Sequence, residues 1–205
     1  MTRAQTAGDV VGRIHGAVLE RLDIGVVMVD EKGRPIFMNG RAARIVAHDD
    51  GLGVDEAGVR ASSPAETCAL RGRIAVAATS APHALEPSRL YLERPSGLIP
   101  LVVTVMSLNV ATTGDSRAAL FIVDPATPIR IDTRGLGATY GLTPREASVT
   151  AMLSRGADIT QAAKTLGVCV SSARQYLKRA LDKTGTHRQA NLVRLVLQTF
   201  THVHG

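Results

Sequence analysis

Residues 142–200 read LTPREASVTAMLSRGADITQAAKTLGVCVSSARQYLKRALDKTGTHRQANLVRLVLQTF, and this stretch decides the fold of the last third of the chain. It contains four helix starts, each with its own cause. Thr143-Pro144-Arg145-Glu146 is a capping box: the Thr143 hydroxyl can accept from an orphan amide, Glu146 can reach back, and Pro144 takes the first helical position, where no N–H is needed. Val149, Met152 and Leu153 then repeat at helical spacing until Gly156 stops the helix. Asp158 with Gln161 opens a short second helix through Leu166, closed by Gly167. A third is expected from Val170–Ser172 to Gly185, and Thr186 with Gln189 opens a fourth that carries Leu192, Leu195, Val196 and Thr199 on one face.

Two short helices joined by a tight, glycine-containing turn form a helix-turn-helix. On the third helix Ala173, Leu177, Ala180 and Leu181 fall on the core side. Ser171, Arg174, Gln175, Lys178 and Asp182 fall opposite, with Arg179 and Lys183 at the margins. An exposed face rich in Arg, Gln and Lys suits a major groove, because Arg and Lys pair with guanine and Gln with adenine.

Leu142-Thr-Pro-Arg-Glu-Ala, Gly156, Ala162-Ala163, Leu166-Gly167-Val168, Arg174, Leu177-Lys178, Lys183-Thr-Gly and Arg188-Gln-Ala-Asn-Leu-Val together resemble the LuxR/NarL-type helix-turn-helix family. The match spans all four helices. The resemblance implies that the third helix enters the major groove and that the fourth helps dimerise. It puts base reading on Arg174, Gln175 and Lys178, and phosphate contacts on Ser172 and Lys183. Ser171 and Arg179, beside them on the same helix, are expected on phosphate too. Leu192, Leu195 and Val196 are the expected dimer seam, and an inverted-repeat operator follows from two-fold symmetry. The chain departs from the family at Cys169, where a serine cap is usual, and at Ala173, Tyr176 and Thr184. A thiol accepts poorly, so Ser171 is expected to cap and the helix to start a residue or two late.

Charge agrees with a polyanion partner. Residues 136–205 hold nine of the 24 Lys+Arg and three of the 18 Asp+Glu, so the whole excess of +6 lies there and residues 1–135 balance to zero. Hydrophobic content of 45% is ample for a core, while six aromatics and no Trp mean that it is built from Val, Leu, Ile and Ala. No apolar run approaches the ~18 residues of a membrane span, and no signal-peptide segment is visible at the N-terminus. Cys68 and Cys169 lack metal or redox spacing, so free thiols in a cytoplasm are expected.

The first 125 residues read as a different module. Val10, Val11, Ile14, Val18, Leu19 and Leu22 form an amphipathic helical pattern. Gly25-Val-Val-Met-Val-Asp, a turn at Glu31-Lys-Gly, and Arg34-Pro-Ile-Phe-Met-Asn make a hairpin. A short helix over Gly40–Ala47, a Gly- and Asp-rich loop over Gly51–Ser63 and a longer helix over Pro64–Ala78 follow. Strands are expected at Arg89–Glu93, Leu98–Leu108 and Ala118–Val123, with a turn at Gly114-Asp115. Val27, Val29, Leu101, Val103, Val105, Phe121 and Val123 recur at every second position and are expected in the core, with Phe37 joining them. The opening hairpin, down to Asn39, and Arg94-Pro-Ser-Gly ahead of an apolar strand resemble a PAS domain.

The fold class expected is therefore α+β. A PAS-like five-stranded antiparallel sheet with inserted helices precedes an all-α four-helix helix-turn-helix domain. The boundaries are 1–24 for the N-terminal helix, 25–125 for the PAS-like sensor or dimerisation domain, 126–138 for a Pro/Gly linker and 139–205 for the DNA-binding domain. No cofactor is expected and the ligand of the PAS-like domain stays unassigned: Cys68 reads as a buried small residue, and His48 and His83 as surface histidines. No metal cluster, nucleophile–base pair or phosphate loop points to an enzyme. A receiver domain would need βα alternation after its acidic pair, and a lactone-sensing domain is expected to carry Trp; both are disfavoured. The expected function is a dimeric, sequence-specific transcription regulator with duplex DNA and RNA polymerase as partners. The alternative is a sigma-factor-like promoter-recognition protein, which shares the Leu-x-x-Arg-Glu start and Leu-Gly-Val turn.

Overall fold

The computed structural model describes residues 16–80, 87–108 and 117–200. Most of the expected N-terminal helix, the Gly114-Asp115 turn and His83 lie outside them; residues 16–20 are helical. The chain divides into two compact units, residues 1–127 and 128–203.

The first unit opens with β1 (Gly25–Asp30) and β2 (Pro35–Met38), paired antiparallel. Their turn is fixed by Asp30, whose carboxylate accepts from the Lys32 and Arg34 amides. Asn39 ends β2 and caps α1 (Gly40–His48). A second hairpin, β3 (Leu52–Asp55) with β4 (Gly58–Ala61), leads into α2 (Pro64–Thr79), capped by Ser63 with a proline in its first turn. Then come β5 (Ser88–Leu92), β6 (Leu101–Ser107) and β7 (Arg117–Val123). The five-stranded sheet has the order β2-β1-β7-β6-β5 with every pair antiparallel, and both helices and the second hairpin are inserted between β2 and β5. This is the PAS-like architecture expected from the sequence.

One face of the sheet builds the core. Val27, Val29, Leu101, Val103, Val105, Leu120 and Ile122 pack against Leu70 and Ile74 of α2 and Leu52 and Val59 of the second hairpin. Each such side chain contributes ~1.5–3 kcal/mol when removed from water.

Four expectations for this unit need correction. Residues 51–63 are not a loop: Leu52, Val59 and Ala61 are buried, and the Asp55 carboxylate accepts from the Ala57 amide to close a tight turn. Gly58 at φ +112° lies so close to the Gly33 backbone that a Cβ would collide with it. In β7 the inward residues are Ala118, Leu120 and Ile122, while Phe121 is half-buried and Val123 exposed. Phe37 stands opposite Met28, on the other face of the sheet from Val27. Cys68, expected inside, is exposed on α2.

Among the described residues the second unit has five helices: α3 (Thr133–Tyr140), α4 (Pro144–Ser154), α5 (Ile159–Leu166), α6 (Val170–Thr184) and α7 (Gln189–Phe200). The first of these overlaps the stretch read as linker. Asp132 caps it by accepting from the Arg134 amide, Leu136 is fully buried beneath it, and Gly141 at φ +64° ends it. Arg155 ties the preceding segment down by donating to the Ile129 and Ile131 carbonyls. The core gathers Ile131, Leu136, Leu142, Ala147, Ala151, Ala180, Leu192 and Val196.

Candidate nucleic-acid interface

The helix-turn-helix is α5, the turn at Gly167–Cys169, and α6. Asp158 caps α5 by accepting from the Thr160 and Gln161 amides, and Gln161 reaches back to the Asp158 amide. Gly167 at φ +64° reverses the chain, and Val168 closes the end by donating to the Ala163 carbonyl. Arg145, from the start of α4, donates to the Leu166 carbonyl at 3.1 Å and so fixes this turn against a second helix. Ala162, Ala163, Ala173 and Ala180 are all buried. Their small side chains let the helices approach closely.

α6 presents its opposite side to solvent. Ser171, Arg174, Gln175, Lys178, Arg179 and Asp182 are exposed, while Leu177 and Leu181 pack on the core. Residues 171, 174, 175, 178 and 182 recur at three- and four-residue steps and form one strip. The side chains of Arg174, Gln175, Lys178 and Arg179 make no hydrogen bond or ion pair among the described residues, so their donors are uncommitted.

The helix starts at Val170 with Cys169 at the cap, not at Ser171 or later. The Cys169 sulfur makes no cap bond to a backbone amide; it lies 3.1 Å from both the Ser171 and Ser172 hydroxyls. Those hydroxyls pull the thiol down to about 7 by stabilising the thiolate, and the nearby Ser172 amide, too poorly placed to cap, adds to this through its dipole.

Lys183, expected on phosphate, is engaged within its own unit. Its ammonium donates to the Glu146 carboxylate at 2.7 Å and to the Gly141 carbonyl at 2.9 Å. Glu146 is 2% exposed and also accepts from the Thr143 amide to complete the capping box. Lys183 therefore clamps the end of α6 to the start of α4. Burial alone would raise the Glu146 carboxyl, but the Lys183 ammonium and the Thr143 amide and hydroxyl outweigh it and hold it below the usual range. A depressed carboxylate stabilises the fold above its unfolded value and loses that contribution as pH falls through the lowered folded value. The helical unit should thus lose stability below about pH 4.5, the ordinary Glu value. Glu146→Gln should flatten that acid limb and cost about 2 kcal/mol at pH 7, with the half-open Lys183 screened by solvent. Denaturant melts across pH 3–7 check both, and an unchanged acid limb would remove the clamp from the account.

The expected dimer seam also needs correction. Leu192 and Val196 are fully buried in the core of their own unit, and Leu195 alone of the three is half-buried at the edge of α7. Among the described residues no group of three or more His, Cys, Asp and Glu gathers to hold a metal, and no helix is long and apolar enough to cross a membrane.

Sequence reasoning found the exposed strip because it depends on helical periodicity. It missed the Lys183 clamp and the Arg145 strut, which have no local signal, and the helix over 133–140, whose Asp132 cap and closing Gly141 were masked by Gly135 and Gly137.

No family model matches the chain, and no curated protein does. Solved structures similar to it include a phage VqmA–DPO complex, 16% identical over 93% of this chain and 89% of that one, with a TM-score of 0.42. The VqmA dimer of Vibrio cholerae, described among LuxR-type receptors, is 15% identical over 90% of this chain and 86% of that one, at 0.37. The PAS domain of an HTR-like protein from Haloarcula marismortui is 15% identical, covering 60% of this chain and 99% of that one, at 0.39. The strand and helix order described above stands on the chain's own backbone.

Proposed function

We propose that this chain is a sequence-specific DNA-binding regulator in which α6 reads the major groove and the sheet unit senses a signal or dimerises. The observation that carries this is the uncommitted strip on α6: three cations and an amide, all exposed, on a helix whose other side is locked into a core. Arg174, Gln175 and Lys178 discriminate bases, at ~1–3 kcal/mol for each good bidentate contact. Ser171, Ser172 and Arg179 hold the backbone, and the net charge of +6 supplies affinity by counterion release. A single module of this size binds weakly, so the active species is a homodimer on an inverted repeat, joined elsewhere than through Leu192 and Val196.

The test is the fluorescence anisotropy of a labelled mixed-sequence duplex titrated with the full chain. Affinity should fall steeply as salt rises. The triple variant Arg174→Ala/Lys178→Ala/Arg179→Ala should bind at least tenfold more weakly at an unchanged melting temperature. Equal affinity of variant and parent would remove α6 as the DNA-binding surface.

A further inference from the structure

A second feature of the molecule lies in the sheet unit, well apart in sequence from α6. A cleft of about 240 Å³ has Arg41, Arg44, Ile45 and His48 on one side and Asp50, Arg94 and Asp124 on the other. Positions 41, 44 and 48 follow helical spacing, so α1 puts three basic side chains along one line. Arg94 bonds both carboxylates and offsets one of their two charges, so with Arg41 and Arg44 the cleft keeps an excess of one positive charge. Its Nε donates to Asp50 and its terminal nitrogen to Asp124, each at 2.8 Å. Asp50 is further held by the Ser96 amide and hydroxyl, and Asp124 by the Ala126 amide and Thr127 hydroxyl. Glu20, which comes near the start of α1, accepts from the Gly40 amide at 2.8 Å. Arg41 and Arg44 have no hydrogen bond or ion pair from their guanidiniums among the described residues.

We propose that this cleft binds a small organic oxyanion, a carboxylate or phosphate group carried on a short apolar body, through the paired guanidiniums of Arg41 and Arg44. Two like charges one turn apart repel each other, and an anion between them removes that cost. Guanidinium forks match the planar geometry of a carboxylate, or two oxygens of a phosphate, by paired hydrogen bonds. The His48 Nδ1 donates to the Arg44 carbonyl at 2.6 Å, so Nε2 offers an oxyanion a donor only in the imidazolium form, and the arginines carry the binding. Ile45 supplies the apolar contact. The cleft lies below the ~300–1,000 Å³ of a drug-sized pocket, so the ligand is limited to about ten non-hydrogen atoms. This site is independent of the DNA-binding reading and stands or falls without it.

The experiment follows the arginine side-chain N–H resonances of the full chain by NMR. Benzoate, inorganic phosphate and sodium chloride are titrated separately at matched ionic strength. At least one of benzoate and phosphate should shift the Arg41 and Arg44 signals along a saturable curve, while chloride should not. Saturation by phosphate alone assigns a phosphate ligand, and by benzoate alone a carboxylate. Read on the Ile45 and His48 backbone amides, which both substitutions leave in place, Arg41→Gln/Arg44→Gln, and Arg44→Gln by itself, should weaken binding at least tenfold at unchanged melting temperature. Shifts that grow linearly with both anions, or an undiminished curve in the double variant, would overturn the site.

Discussion

Replacing Arg94 by alanine should destabilise the sheet unit by about 3–5 kcal/mol, the cost of breaking a buried charge pair from one side. The guanidinium is 9% exposed and joins Asp50, after α1, to Asp124, at the end of β7. Burial on its own would lower the Arg94 pKa, but the two carboxylates reverse this and raise it. Without it, two acidic side chains at 18% and 15% exposure lose the guanidinium that bonds them both. Arg94→Lys should recover only part of the loss, because one ammonium cannot fork to two carboxylates. Urea melts followed by hydrogen exchange in peptides from β6 and β7 measure this. A loss below 1 kcal/mol would mean that Arg94 is a surface charge and not the joint of this unit.

Asn39→Ala should cost about 3 kcal/mol. Asn39 is fully buried and uses its whole amide. Its Oδ1 accepts from the Val26 and Ala42 amides at 2.9 Å, and its Nδ2 donates to the Leu19 and Ile24 carbonyls at 2.9 and 3.0 Å. One side chain thus joins β1, the cap of α1 and the segment entering the sheet. Alanine removes the cap, worth ~0.5–2 kcal/mol, and orphans buried backbone groups at ~1–3 kcal/mol. Asn39→Asp separates the two halves of the effect. It keeps the acceptor but sets a carboxylate against two carbonyls, so its deficit should shrink as pH falls and the group protonates. A deficit for Asn39→Asp that does not change with pH would show that the Nδ2 bonds carry no weight.

The parts of this molecule legible in its sequence are those with short-range causes. The capping boxes at Thr143–Glu146 and Asp158–Gln161, and the left-handed glycines 167 and 185, each need only three or four residues to act, and each forms as read. The exposed strip on α6 follows from helical spacing alone. What escaped has causes at long range or ambiguous local ones. Residues 118–123 are apolar at every position, so a period of two cannot say which residues point inward; pairing of Leu120 with Val27 and Val105 decides it. Gly135 and Gly137 made a linker of a segment that Leu136 and the Asp132 cap turn into a helix. Gly58 looked like loop because its partner, Gly33, lies 25 residues earlier. Lys183 looked free because Glu146 is 37 residues away. The Arg94-Pro-Ser-Gly motif was visible as a pattern, but its work, holding Asp50 and Asp124, shows only in three dimensions.

The most direct test of the central claim is selection of binding sites from a pool of duplexes with a randomised core, using the full chain and Arg174→Ala in parallel. The parent should enrich a defined sequence with inverted symmetry. Arg174→Ala should enrich the same sequence with preference lost at one base pair in each half-site. A pool that remains random after repeated rounds with the parent would contradict the claim that α6 reads DNA sequence.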